Sequence, residues 1–215
     1  DCMAMVITAG PAKGAAAIAE VAVFADLDTD SDGLERLVKQ VAGSDRLRAG
    51  GPLRMLQLLA QQPARQQALL AALRSGWKSA PPEGKRRLLE PSLATIAALT
   101  GAAVDSPLRT AAAELLEEAL RSLPATDRPA LFTAAQSLGP TGLARIERVG
   151  LDASAPLDLR KDALLRLAAV KDPRSLGTLI AALKTADSAL HKVLASAITA
   201  ALRCKPTDDA GLTAL

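Results

Sequence analysis

Residues 158–184 read DLRKDALLRLAAVKDPRSLGTLIAALK. Leu159 and Arg160 are followed by Ala163 and Leu167, which lie three and seven positions after the arginine. That spacing puts the apolar residues on one stripe of a helix. Asp172-Pro173 then opens the next helix, with proline at the first position, where its missing N–H costs nothing. The same opening occurs at Leu108-Arg109 with Ala112 and Leu116, and at Leu190-His191 with Leu194 and Ile198. Recurring amphipathic helices of this kind bury their apolar faces by stacking on one another.

Working outward, Pro and Gly punctuate the chain at short-helix intervals. The pattern predicts helices at 13–25, 32–42, 52–61, 64–75, 83–99, 107–122, 127–138, 141–149, 156–170, 173–185 and 187–203. Met3–Thr8 reads as the tail of a further helix and Thr207–Leu215 as a frayed last one. Hydrophobic residues make up 49% of the 215 and aromatics only 1%, so the core is built from Ala and Leu, both strong helix formers. Long alternating runs that would make strands are not visible. The fold class expected is all-α, an irregular α-solenoid of stacked antiparallel helix pairs forming one domain over 1–215, best defined over 107–203.

The Pro156–Leu202 stretch resembles a HEAT repeat unit, in which the second helix often begins with an apolar–Arg step and an Asp-Pro turn leads onward. The resemblance is clearest from Pro107 to Leu202 and implies an armadillo-like binding or scaffolding array. The Ala/Leu/Arg-rich pattern is also similar to the helical-repeat region of large secreted haem-binding, dehydrogenase-like proteins of planctomycete-type bacteria. That likeness implies a bacterial source and a periplasmic or secreted setting; otherwise a cytoplasmic one is expected. No C-x-x-C-H occurs, so covalent haem does not carry over. Spacing is uneven: Leu159 to Leu190 spans 31 residues, but Leu108 to Leu159 spans 51, and helix 127–138 reads either as an insertion or as an irregular member.

Charge is balanced, with 26 Lys and Arg against 23 Asp and Glu, which is not the dense basic field of a dedicated nucleic-acid binder. Cys2 and Cys204 form no metal or redox motif. No apolar run is long enough to span a membrane, so no membrane insertion is expected. The chain opens on Asp1 without a basic-then-apolar leader, which fits a processed chain or part of a larger polypeptide.

The sharpest local motif is Asp28-Thr29-Asp30-Ser31-Asp32-Gly33. Asp28, Asp30 and Asp32 alternate before a glycine as in the opening of a calcium loop, but Lys39 stands where the closing bidentate Glu belongs. The competing reading is an acidic loop whose Asp32 caps the next helix in a D-x-x-E box with Glu35. No other cofactor is expected. Thr8–Gly14 has a glycine turn similar to nucleotide-binding loops, yet no alternating strands follow, so a helix–loop–helix junction is preferred.

Trp77, Lys78, Lys85, Arg86 and Arg87 surround the Pro81-Pro82 turn. A basic loop with one aromatic suits phosphates and a stacked base, as HEAT-like DNA glycosylases use on a concave face. Trp77 has no acid within one helical turn, and a solvated loop with a partly buried Trp is the competing reading. Arg109, Arg160 and His191 are expected as a structural ladder along the repeats. No nucleophile, acid/base or phosphate-loop motif is found. The expected function is therefore non-catalytic: a module that binds a protein or peptide on its concave face. A nucleic-acid module using 78–87 is the alternative.

Overall fold

A computed structural model describes residues 4–9, 18–24, 31–43, 50–99, 103, 106–170, 173–185 and 188–203. Two strands come first: β1 (Ala4–Ala9) and β2 (Ile18–Phe24) pair antiparallel, from Ala4 opposite Phe24 to Ala9 opposite Ile18, with an irregularity at Thr8/Ala9. This corrects the helix expected at 13–25 and the helix tail at Met3–Thr8. Val6, Ile7 and Thr8 face Ala22, Val21 and Glu20 in register, and β-branched residues favour a pleated strand over a helix. A strand after the glycine turn also removes the strand–turn–helix layout that a nucleotide loop requires.

From Ser31 on, the described elements are helical. They are α1 (Ser31–Gly43), α2 (Gly50–Ala60), α3 (Gln66–Ser79), α4 (Pro82–Ala98), α5 (Pro107–Ser122), α6 (Arg128–Ser137), α7 (Pro140–Leu151), α8 (Leu157–Ala169), α9 (Pro173–Thr185) and α10 (Ser188–Arg203). Short 3-10 turns, Pro63–Arg65 and Ala125–Asp127, lead into α3 and α6. Where one domain was expected, the chain divides into two compact units, Asp1–Pro91 and Ser92–Leu215. The division falls inside α4 at Pro91, a residue that deprives the helix of one backbone hydrogen bond.

In the first unit α1 packs on α2 and α3. α3 runs four residues past the predicted end at 75, and the reason is packing. Leu69, Leu70, Leu73 and Trp77 continue one buried stripe, and Gly76, which reads as a helix stop, is a contact residue instead. A Cβ there would sit 2.2 Å from Val38 Cγ1, so only glycine lets α3 approach α1 this closely. Gln66 reaches back to the Ala60 carbonyl, and Arg87 of α4 donates to the Ala42 carbonyl at the end of α1. The latter is a side-chain cap on orphan C-terminal acceptors.

In the second unit each helix from α5 to α10 packs on the next in sequence. Alternate helices also meet: α5 with α7, α7 with α9, and α8 with α10. Pro107, Pro140 and Pro173 each open a helix of the α5–α7–α9 succession, at steps of 33 residues (107 to 140, 140 to 173). Buried positions keep that step: Arg109, Gly142 and Ser175; Ala113, Ile146 and Leu179; Leu116, Val149 and Ala182. The α6–α8–α10 succession steps by 31, with Arg128, Leu159 and Leu190 buried, and Phe132, Ala163 and Leu194 one turn on.

Helix 127–138 thus corresponds to α6, which packs on both α5 and α7. The 51-residue interval arises because Leu108 and Leu159 belong to different successions. Between α6 and α7 the backbones nearly touch: a Cβ at Gly142 would lie 1.9 Å from the Ala135 carbonyl oxygen. Backbone cannot yield as a flexible side chain can.

Candidate interaction surface and its arginine–carboxylate clusters

The second unit carries two charged clusters, each linking alternate helices. Glu117 on α5 is buried, and helical spacing sets its Oε1 against Arg121 one turn on, at 3.2 Å. From α7, Arg145 donates to Glu117 Oε2 at 3.1 Å and to Glu114 Oε1 at 3.2 Å, and Arg148 Nε lies 3.5 Å from Glu117 Oε1. A buried carboxylate is tolerable only with such donors around it.

Arg121 also donates to Asp152, just past the end of α7. The Ser154 hydroxyl and backbone N–H donate to the other oxygen of Asp152, at 2.7 and 2.9 Å. The Ser154 hydroxyl first, then the Arg121 guanidinium, hold this carboxyl well below the usual carboxylate range.

The second cluster has the opposite polarity. Arg128, at the first turn of α6, is buried and donates to Asp162 at 2.7 Å and Asp158 at 2.8 Å, two carboxylates one turn apart on α8. These side chains keep 45% and 63% of their surface in water while the guanidinium keeps 9%. The hydrogen bond from Arg128 lowers the pKa of Asp158. A turn later Arg166 of α8 donates to Thr133 Oγ1 of α6 at 2.9 Å.

Of the ladder residues, Arg109 is buried in α5 and donates to the Leu138 carbonyl at 3.4 Å, at the end of α6. Ser106 caps the same helix by accepting from the Arg109 backbone N–H. Arg160 is half-buried on α8 and His191 exposed on α10. Arg109 therefore stands in the α5–α7–α9 succession and the other two in α6–α8–α10.

Asp28 and Asp30, as well as the two cysteines, lie outside the described residues. Asp32 is exposed within the first turn of α1 rather than at its cap, where its charge still suits the helix dipole. Glu35 pairs with Lys39 at 3.9 Å on the exposed side of α1. Among the described residues no three His, Cys, Asp or Glu side chains gather as a metal site.

In the first unit Trp77 is fully buried, whereas Lys78 and Arg86 are exposed and Lys85 and Arg87 half-exposed. The ring offers no face on which a base could stack. Among the described residues, no helix is long and apolar enough to cross a membrane.

The residues that sequence reasoning missed are Glu114, Glu117, Arg145, Arg128, Asp158 and Asp162. The 33- and 31-residue steps were the available signal, because they set α5 beside α7 and α6 beside α8. No protein-family model, curated protein or solved structure matches the chain.

Proposed function

We propose that this chain is a non-catalytic, HEAT-like helical-repeat module whose helix surfaces bind a protein or peptide, within a larger polypeptide. The observation carrying this reading is the pair of successions in the second unit. Helices that contact both the next and the next-but-one element, at repeated steps of 33 and 31 residues, match the grammar of stacked helix pairs. Arrays of that kind present long surfaces rather than enclosed pockets. The two charged clusters support it by tying alternate helices together, leaving outward side chains available for contact. Leu157 and Leu165 on α8, and Leu202 on α10, are the exposed large apolar residues of that succession. Scattered exposed leucines are ordinary, so they mark residues to probe.

The test is a peptide-display selection against the whole protein, followed by titration of the selected peptides. Leu165→Glu should weaken binding about tenfold or more, about 1.4 kcal/mol, while leaving helicity and thermal midpoint unchanged. If repeated selections enrich no peptide that binds the folded protein, the reading fails.

A further inference from the structure

The net charge of the chain is unevenly placed. Residues 31–91 contain eleven Lys and Arg against five Asp and Glu, a net of +6, whereas 92–215 contain fourteen against thirteen, a net of +1. The helical part of the first unit therefore carries nearly all of the positive field. Within it, Lys78 ends α3, and Lys85 and Arg86 lie in the first turns of α4, across the two-residue connection Ala80-Pro81.

That connection is held tightly. The Ala80 N–H donates to the Gly76 carbonyl, and the Lys85 N–H to the Pro81 carbonyl, both at 2.9 Å. Arg87 is committed to the Ala42 carbonyl, which brings the end of α1 to the same place. Among the described residues, neither Lys78 nor Lys85 belongs to an ion pair, and both reach solvent.

We infer that this α3–α4 corner is a docking point for an acidic protein segment; the inference rests on the binding-module reading above and assigns its partner chemistry. A few fixed cations on a pinned turn suit a short run of Asp or Glu, whose attraction is local and needs no extended basic track. A nucleic acid is the poorer fit. Duplex DNA presents a charge about every 1.7 Å along its axis, and with Trp77 buried there is no stacking surface to supplement three cations.

The experiment titrates labelled ten-residue poly-glutamate, and separately a duplex oligonucleotide, into the full chain at low salt. Lys78→Glu/Lys85→Glu is compared with Lys184→Glu/Lys192→Glu, exposed lysines of the second unit whose reversal changes net charge equally. The first pair should weaken poly-glutamate binding about tenfold or more and the second less than twofold, with circular dichroism confirming that both variants fold. Equal losses for the two pairs would mean that net charge alone acts and would overturn the docking point. Failure of poly-glutamate to bind would also overturn it, as would tighter binding of the duplex. Display-selected peptides that still bind the Lys78→Glu/Lys85→Glu variant would show that the module reading survives without this site.

Discussion

The two units hold their helices together by different means. In the first, the contact between α1 and α3 is apolar: Val38, Leu73 and the fully buried Trp77 lie about a glycine that lets the helices close up. In the second, apolar packing is supplemented by arginine–carboxylate clusters at Glu117 and Arg128 that join alternate helices. Apolar contact is non-directional and scales with area, so it tolerates varied helix lengths. Charged clusters demand register, and the second unit is where the helix starts recur at fixed steps. The comparison is open to direct test because Trp77 is the only tryptophan. Its fluorescence follows the first unit, while circular dichroism follows the helices of both.

Trp77→Phe and Trp77→Ala break the apolar side of the comparison. Removing a fully buried indole costs about 3–5 kcal/mol when a cavity remains. Trp77→Ala should therefore shift the low-temperature part of the dichroism melt by many degrees, whereas Phe retains most of the volume and costs less. A shift no larger for Ala than for Phe would show that the ring is not the keystone of that unit.

Glu117→Ala attacks the buried acid. It strips an acceptor from Arg121, Arg145 and Arg148 at once and leaves the buried end of that cluster short of negative charge. About 2–4 kcal/mol is expected, as for other broken buried pairs. Glu117→Gln keeps the volume and an acceptor oxygen and should recover part of the loss. The tryptophan transition should stay in place for both. If it moves with the dichroism, the units do not respond separately.

Most of this fold was legible in the sequence, and the misses have physical causes. Ten of the predicted helices are present within a few residues, because Leu and Ala recur at helical spacing and Pro and Gly mark the breaks. The first predicted helix failed because Ile18–Phe24 is apolar nearly throughout, and a short apolar run has no period to separate strand from helix. The charged clusters were hidden for another reason. Glu117 with Glu118 reads as an ordinary pair of helix carboxylates, and only the meeting of α5 with α7 makes one of them a buried acceptor. The repeated step was masked because an apolar–basic signature occurs once in one succession and twice in the other. At the equivalent place in α6 the residues are Arg128-Pro129, which do not fit it.

The Arg128 cluster sharpens the comparison at smaller amplitude. Its acids are largely hydrated, so Arg128→Ala leaves no buried unpaired charge and loses chiefly two charge-assisted bonds and the packed stem. A loss of about 1–3 kcal/mol is expected. Arg128→Met, which keeps the stem, should fall at the lower end. A larger loss than for Glu117→Ala would reverse the order that burial implies.

Acid is the gentlest probe, and it addresses both clusters without mutation. Asp152 and Asp158 have folded pKa values below the ordinary carboxylate value, so each contributes stability that is fully present above about pH 4 and disappears as pH falls through the folded values. Protonation then binds more readily to the unfolded chain, and the second unit should lose stability between about pH 4 and pH 2. The tryptophan signal should lag behind dichroism over that range. Arg128→Ala removes the group that lowers Asp158, and Arg121→Ala removes one that lowers Asp152, so each variant should flatten the acid limb of the stability profile relative to the parent. Both variants start less stable, which makes the slope with pH, not the midpoint, the diagnostic quantity. An unchanged slope in both would mean that these ion pairs are crossed by the chain without being used to hold it, and that the second unit is as apolar in its energetics as the first.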